Sequence, residues 1–234
     1  MKKNIFDKED LKSKSAKGKK LSFQLIALLI IASFLPILAI SYGTYYGLSK
    51  NLKGEFDNVT NQSISRVNGA VDSLYKANYE STDMLSNDPN ATMIMANPDS
   101  VQWLIKSFEG FVKTHPDTLS IYFGTIDKKM HIAPAQELDA TYDPTSRGWY
   151  KEAINNDGKV IATNPYEDAI TKKYVMTFAK TVKDNSGKIV GVIGLDIDLE
   201  LISNMVANIK LGKDGFSAIL DATGTIIAHK NKAY

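Results

Sequence analysis

Between residues 142 and 150 the chain reads Tyr-Asp-Pro-Thr-Ser-Arg-Gly-Trp-Tyr, and Tyr166, Asp168 and Asp196 follow it. This set holds one guanidinium (Arg147), aromatic groups with polar tips (Tyr142, Trp149, Tyr150, Tyr166) and two carboxylates (Asp168, Asp196). It suits a small molecule that carries both a carboxylate and an ammonium. A guanidinium grips a carboxylate through two parallel hydrogen bonds, a geometry lysine cannot copy. The chain has only two arginines, Arg66 and Arg147, so the placing of one inside an aromatic cluster singles it out. Indole N–H and phenol O–H groups add donors without adding charge, and ring faces attract an ammonium. Asp168 and Asp196 can accept from that ammonium. Either charged end buried without a partner would cost several kcal/mol, so a binding site must supply groups for both.

Each residue also has an ordinary role open to it. Trp149 and Tyr150 could be core at the start of a helix, Arg147 could pair with Asp143 or Glu152, and Asp168 could serve a turn. Asp196 is harder to explain that way. It closes the apolar run Lys188-Ile-Val-Gly-Val-Ile-Gly-Leu195, where an unpaired carboxylate is expensive, whereas Asp198 has a helix N-cap to fill. Other chemistry finds little footing. His115, His131 and His229 lack metal-ligand spacing, and Asp196-x-Asp198 lacks further oxygen ligands at loop spacing. There is no Gly-rich phosphate loop and no nucleophile elbow. No catalytic residue, metal site or cofactor is therefore expected. A hydrolase would betray itself by turnover, and a purely structural or adhesive domain by the absence of saturable small-molecule binding.

No Lys, Arg, Asp or Glu occurs from Leu21 through Ser49, and Leu25 to Ile40 is almost wholly apolar. A helix of about 20 residues rises roughly 30 Å, the thickness of a bilayer's hydrocarbon core. Residues 21–48 are therefore expected to span a membrane. Pro36 is tolerable there, and Tyr42, Tyr45 and Tyr46 fall where amphipathic rings settle among headgroups. Residues 1–20 carry eight lysines against Asp7, Glu9 and Asp10, a net +5 in a chain of net +2, which leaves −3 for the rest. The positive flank stays cytoplasmic, which puts residues from about 49 onward outside the plasma membrane. A cleaved signal peptide would have a shorter basic stretch and an apolar core of only ~7–15 residues. With its basic excess confined to a tail, the charge pattern points to topology and anionic lipid rather than nucleic acid. The absence of cysteine excludes disulfides and thiolate chemistry.

The elements that must position the cluster follow from periodicity. Leu52, Phe56, Val59, Ile64, Val67, Val71, Leu74 and Tyr75 recur mostly every three or four residues, which predicts an amphipathic helix over 49–87 ended by Asp88-Pro89. Its apolar stripe either packs on its own domain or pairs with a copy of itself. From Leu119 the period shifts toward two. Strands are predicted over 118–124 and 129–133 about an Asp127-Lys-Lys turn, then a helix from Gly148 to Asn155. A strand over 173–182 turns at Asp184-Asn-Ser-Gly187 into a central strand over 188–197. Asp198 then caps a helix with Leu199, Ile202, Met205, Val206 and Ile209 on one face. Past Gly212 the pattern restarts with strands over 215–220 and 225–228 about a turn at Asp221-Ala-Thr-Gly224. Two strands do not make a stable domain, so residues 211–234 are read as the start of a second module in a longer protein. The fold class is α+β: a basic tail (1–20), a membrane helix (21–48), then a long helix with an antiparallel-sheet module (49–210).

In this arrangement the series Tyr142…Arg147-x-Trp149-Tyr150…Tyr166-x-Asp168…Gly191-Val-x-Gly-x-Asp196-Ile resembles the double Cache sensor domain of methyl-accepting chemotaxis proteins and related bacterial receptors. Tyr142, Arg147, Trp149, Tyr150, Tyr166, Asp168 and Asp196 all match the pattern of its amino-acid-binding subclass. The resemblance covers roughly residues 49–234. It implies a PAS-like, membrane-distal module that holds the ligand, a truncated membrane-proximal module, and a homodimeric receptor. It also implies cytoplasmic signalling partners, reached through a second span, a HAMP linker and a signalling coiled coil that this sequence does not contain. Chemotaxis is the output the resemblance implies first; the sensor of a histidine kinase or diguanylate cyclase, or a sensor for an amine or organic acid, is the alternative. The preferred amino-acid side chain depends on residues around Ser120, Tyr122 and Tyr174.

Overall fold

Strand residues alternate between the two faces of a sheet, and in this chain both faces are covered. The computed structural model describes residues 5–207, 216, 218–220, 224 and 226–229. Helix α1 (Ile5–Ser86) is followed by α2 (Pro89–Thr92) and α3 (Ser100–Thr114), then by β1 (Thr118–Thr125) and β2 (Met130–Ala133). A 3-10 turn (Pro144–Ser146) leads into α4 (Gly148–Asn155), β3 (Ile161–Ala162), β4 (Tyr166–Glu167), β5 (Tyr174–Lys183) and β6 (Ile189–Asp198). Helix α5 (Leu199–Ala207) and the hairpin β7 (Ala218–Leu220) and β8 (Ile226–His229) complete the described elements. The main sheet is antiparallel in the order β2-β1-β6-β5-β3, with β4 also on β5.

One face of this sheet carries Ile121, Phe123, Phe178, Ile193, Leu195 and Ile197, which join Leu104 and Phe108 of α3 and Leu74 and Leu85 of α1 in the larger apolar cluster. The other face carries Tyr122, Ala179 and Val192 against Trp149, Tyr150 and Ala153 of α4. Strand β5 is read from both sides. Thr177 and Ala179 face α4, while Phe178 meets Tyr75 of α1 edge-on at 5.0 Å and Lys180 pairs with Asp83. Polar residues of α1 that press toward the sheet are satisfied within the helix: Asn78 Nδ2 donates to the Leu74 carbonyl and Thr82 Oγ1 to the Asn78 carbonyl, each at 2.8 Å.

Two compact units divide the chain, Met1–Thr60 and Asn61–Tyr234. The first contains an apolar stretch of mean hydropathy 2.6, long and apolar enough to cross a membrane. The second contains the sheet and its helices. The span and the amphipathic helix predicted as successive segments belong to one element, α1, which ends at Ser86. Asp88 then starts α2 by accepting from the Asn90 amide at 2.7 Å. Of the predicted apolar stripe, Val67 and Leu74 pack on the core, whereas Leu52, Phe56, Val59 and Ile64 are exposed among the described residues. The sequence reading assigned nothing to residues 89–117; the structure places α3 there, with Leu104 and Phe108 fully buried. Asp198 caps α5 as expected, accepting from the Glu200 amide at 2.8 Å. Ile209 and most of the turn predicted at Asp221 lie outside the described residues, as does much of 211–234; Ile219 and Ile227 of the hairpin pack against the main cluster.

Two glycines set how closely the layers approach. Gly194 on β6 lies opposite Tyr122 on β1, and a Cβ there would run into the Tyr122 ring. Gly124 on β1 admits the Pro144 side chain, which would lie 2.8 Å from an added Cβ, and Trp149 at 3.0 Å. The sheet is thus bare where one ring must lie flat and where the α4 loop must press down. Gly194→Ala is expected to destabilise the protein by about 1–3 kcal/mol through overpacking. Thermal unfolding of the purified full chain should show a Tm lower by several degrees, at ~2–4 °C per kcal/mol for a domain of this size. An unchanged Tm would mean that Tyr122 does not lie over Gly194.

Candidate ligand-binding site

Strand register brings the first half of the site together. Asp196 on β6 lies between Ser120 on β1 and Thr177 on β5. Because Gly194 has no side chain, the Tyr122 ring lies over it and reaches along β6, donating its hydroxyl to Asp196 Oδ1 at 2.7 Å. Thr177 donates to the same oxygen at 2.5 Å, and Ser120 donates to Oδ2 at a longer 3.2 Å. With its proton directed at Asp196, Thr177 accepts from Tyr166 at 2.7 Å. Asp196 is 2% exposed and has no cationic partner among the described residues. Burial pushes its carboxyl up to about 7, against the downward pull of the hydrogen bonds from Thr177 and Tyr122, and the nearby Asp168 charge raises it further. The Tyr122 and Tyr166 hydroxyls are also raised, first by burial and then by the Asp196 charge.

Loops supply the second half. Asp143 pairs with Lys128 of the β1–β2 turn at 2.8 Å and accepts from the Thr145 hydroxyl at 2.6 Å and amide at 2.9 Å, which together hold its carboxyl down at about 2. This pins the segment ahead of Arg147 to the hairpin tip. Arg147, at the N-cap position of α4, does not pair with Asp143 or Glu152, the partners its sequence neighbourhood offered; its guanidinium lies over the Tyr142 ring at 5.8 Å. Trp149 is buried, tilted against Tyr122 at 4.9 Å. Asp168 does serve a turn: its Oδ2 accepts from the Thr171 amide and hydroxyl, both at 2.7 Å. Its Oδ1 makes no hydrogen bond among the described residues and remains available, since Asp168 also faces the cavity.

These residues converge on one small cavity of about 10 Å³, room for about one water molecule. Tyr142, Arg147, Trp149, Tyr166, Asp168 and Asp196 of the predicted set line it. Tyr150 does not. It packs behind Trp149 at 5.6 Å, and its hydroxyl is buried without a hydrogen-bond partner among the described residues. A wider cleft of about 430 Å³ shares Arg147, Trp149 and Tyr166 with the cavity and extends past Glu152 and Asn164. Sequence reasoning named the neighbourhoods of Ser120, Tyr122 and Tyr174; the first two line the cavity, while Tyr174 is 62% exposed and does not. It missed Thr177, whose period-two position beside Asp196 could have been read once β5 and β6 were paired. It also missed Gln136, in a loop with no periodic signal, and the apolar Met130, Ile132 and Ile170.

The sequence profile of the Cache domain family matches residues 47–234. The chain belongs to that family. Methyl-accepting chemotaxis protein TlpB of Bacillus subtilis is 27% identical over 213 residues, which is 91% of this chain and 31% of TlpB. This Cache domain chain therefore spans about a third of the length of such curated relatives. The sensory domain of the Campylobacter jejuni chemoreceptor Tlp3, solved with isoleucine bound, superposes with a TM-score of 0.61 at 25% identity, over 75% of this chain and 72% of that one. The ligand-binding domain of the Pseudomonas fluorescens chemoreceptor CtaA, solved with L-serine, gives a TM-score of 0.61 at 23% identity, over 77% and 75%.

The buried Asp196 makes the unliganded Cache domain sensitive to pH in a defined direction. Its folded-state pKa of about 7 stands above an ordinary 3.8, so between roughly pH 4 and 7 the folded state binds more protons than the unfolded state. This group's contribution to stability is greatest below that window and is lost as pH rises through it. Asp196→Asn keeps an acceptor for Tyr122 and Thr177 and cannot ionise. It should therefore gain stability relative to the wild type from pH 4 to pH 8, by up to a few kcal/mol. Tm measured against pH for both proteins checks this; a constant difference would mean that the carboxyl is not held neutral.

Proposed function

We propose that this Cache domain is the extracytoplasmic sensor of a membrane-anchored chemoreceptor and that its ligand is a zwitterionic α-amino acid. The observation that carries the reading is a single cavity lined by the partly buried Arg147 on one side and by two carboxylates with unfilled acceptor capacity on the other. Arg147 takes the ligand carboxylate, with Trp149 and Tyr142 as neutral donors beside it. Asp168 Oδ1 and Asp196 Oδ2 take the ammonium, and Tyr166 closes the wall between them. Tyr150 supports Trp149 from behind, and its unpartnered hydroxyl is a further donor for the carboxylate once the walls part. They must part, because the cavity holds little more than a water molecule and an amino acid is several times larger. Binding is thereby coupled to a displacement of the loops that carry Arg147 and Asp168, and a ligand that favours the displaced arrangement shifts the population toward it.

The wider setting follows from the same chain. The lysine-rich tail stays in the cytoplasm, residues 21–48 cross the plasma membrane, and the sheet module lies outside. The exposed apolar residues between Leu52 and Ile64 favour a homodimer in the full receptor, whose cytoplasmic part signals to the chemotaxis machinery. Support for the ligand class comes from the two solved relatives of the same fold, one holding isoleucine and the other serine.

Isothermal calorimetry on the full chain in lipid nanodiscs, with single amino acids, their decarboxylated amines and the matching organic acids, tests the reading. Only compounds with both charged ends should bind tightly. Truncating one partner of a desolvated charge pair costs ~2–5 kcal/mol. Arg147→Ala and Asp196→Ala should therefore each weaken binding by roughly 30-fold or more while leaving the far-ultraviolet circular dichroism unchanged. Amines or simple acids binding as well as any amino acid would sink two-ended recognition. A second expectation concerns pH: below about 7 an incoming ammonium must expel the Asp196 proton, so affinity should rise with pH, by up to about tenfold per unit, and level off above 7. A dissociation constant independent of pH between 5 and 7 would remove Asp196 from the ammonium subsite.

A further inference from the structure

Gln136 lies in the loop after β2 and lines the cavity with Met130, Ile132 and Ile170. Its Oε1 is fully buried and has no hydrogen-bond partner among the described residues. Buried amide oxygens are nearly always paired, and each exception calls for an explanation. Its apolar neighbours cannot supply one. Of the polar groups around it, Ser120 and Tyr122 donate to Asp196 and Tyr166 donates to Thr177, while Tyr142, Arg147 and Trp149 are the groups that the ligand carboxylate needs.

We infer that Gln136 selects the ligand, and that the site takes an amino acid whose side chain ends in a neutral hydroxyl or carboxamide. This rests on the amino-acid reading above. Once Arg147 has bound the ligand's carboxylate, no cation lining the cavity is left for a second anionic group. An anionic side chain would then be buried beside Asp168 and Asp196 without a counter-charge, which is strongly unfavourable. An aliphatic side chain would suit Met130, Ile132 and Ile170 but would leave the Gln136 amide unpaired. A hydroxyl or a carboxamide both donates and accepts, so it completes Gln136 whether the amide presents its oxygen or, after a half turn, its NH₂. The stem of such a side chain rests on the apolar wall while its tip meets the amide.

The test uses the full chain in nanodiscs and ligand pairs matched in shape: threonine against valine, asparagine against leucine, and aspartate as the charged member. Calorimetry on the wild type should show the polar member of each binding pair about tenfold tighter than its aliphatic partner, the usual worth of one neutral hydrogen bond. Aspartate should bind more weakly than asparagine. In Gln136→Leu the preference should vanish or reverse, with valine and leucine bound at least as well as by the wild type. Gln136→Met, of similar length, repeats the test if the leucine variant folds poorly. Aliphatic members binding the wild type as tightly as their polar partners, or an undiminished preference in both variants, would overturn the role of Gln136 while leaving the amino-acid site intact. Failure of every amino acid to bind would overturn both.

Discussion

A carboxylate in the middle of a sheet can be kept away from water only if neighbouring strands supply donors, and the surroundings of Asp196 are organised around that requirement. Ser120, Tyr122 and Thr177 come from the strands on either side of β6, and Tyr166 supports Thr177 from β4. Three hydroxyls lower the cost of burying the group but bring no positive charge. The carboxyl therefore stays poised near neutrality instead of being fixed as an anion. A resident lysine or arginine would have made a stable ion pair and closed the site to any visiting cation.

The rest of the module can be seen as what that arrangement requires. Tyr122 reaches Asp196 only because Gly194 lets its ring lie against β6, and Trp149 reaches the same cavity only because Gly124 leaves room on β1. The loop carrying Arg147 is tied at its far end by the Lys128–Asp143 pair and at its near end by the burial of Trp149, Tyr150 and Ala153 of α4 against the sheet. The two halves differ in stiffness. The carboxylate half is built on strands, and the guanidinium half on a short 3-10 turn and a loop.

Much of this was legible in the sequence because it rests on local rules. Period-two alternation marked β1, β2, β5 and β6 to within a residue or two, an N-cap marked the start of α5, and the helix from Gly148 to Asn155 stands where its pattern put it. Asp196 could be singled out because a carboxylate contradicts an apolar strand. What escaped depends on tertiary contact. Thr177 looks like any strand threonine until β5 and β6 are in register, and Gln136 belongs to a loop whose path no periodicity records. Tyr150 was read with its neighbours as a contact residue, but a helix turns about 100° per residue, which carries it behind Trp149 and off the cavity wall. Ile64 shares a helical period with Val67 and Leu74, yet it remains exposed where they meet the sheet.

Strand β5 has a consequence for how the module responds as a mechanical object. Thr177 touches Asp196 on one side, and the next residue, Phe178, touches Tyr75 of the long helix on the other, with Lys180 bonded to Asp83 about two turns further along that helix. Site and helix are thus separated by a partition one peptide thick. Close-packed interiors compress little, so a strand in that position cannot absorb a push on one face without presenting it on the other. A tilt or slide of β5 by a fraction of an ångström would be delivered directly to the flank of the helix, with no intervening layer in which it could be lost.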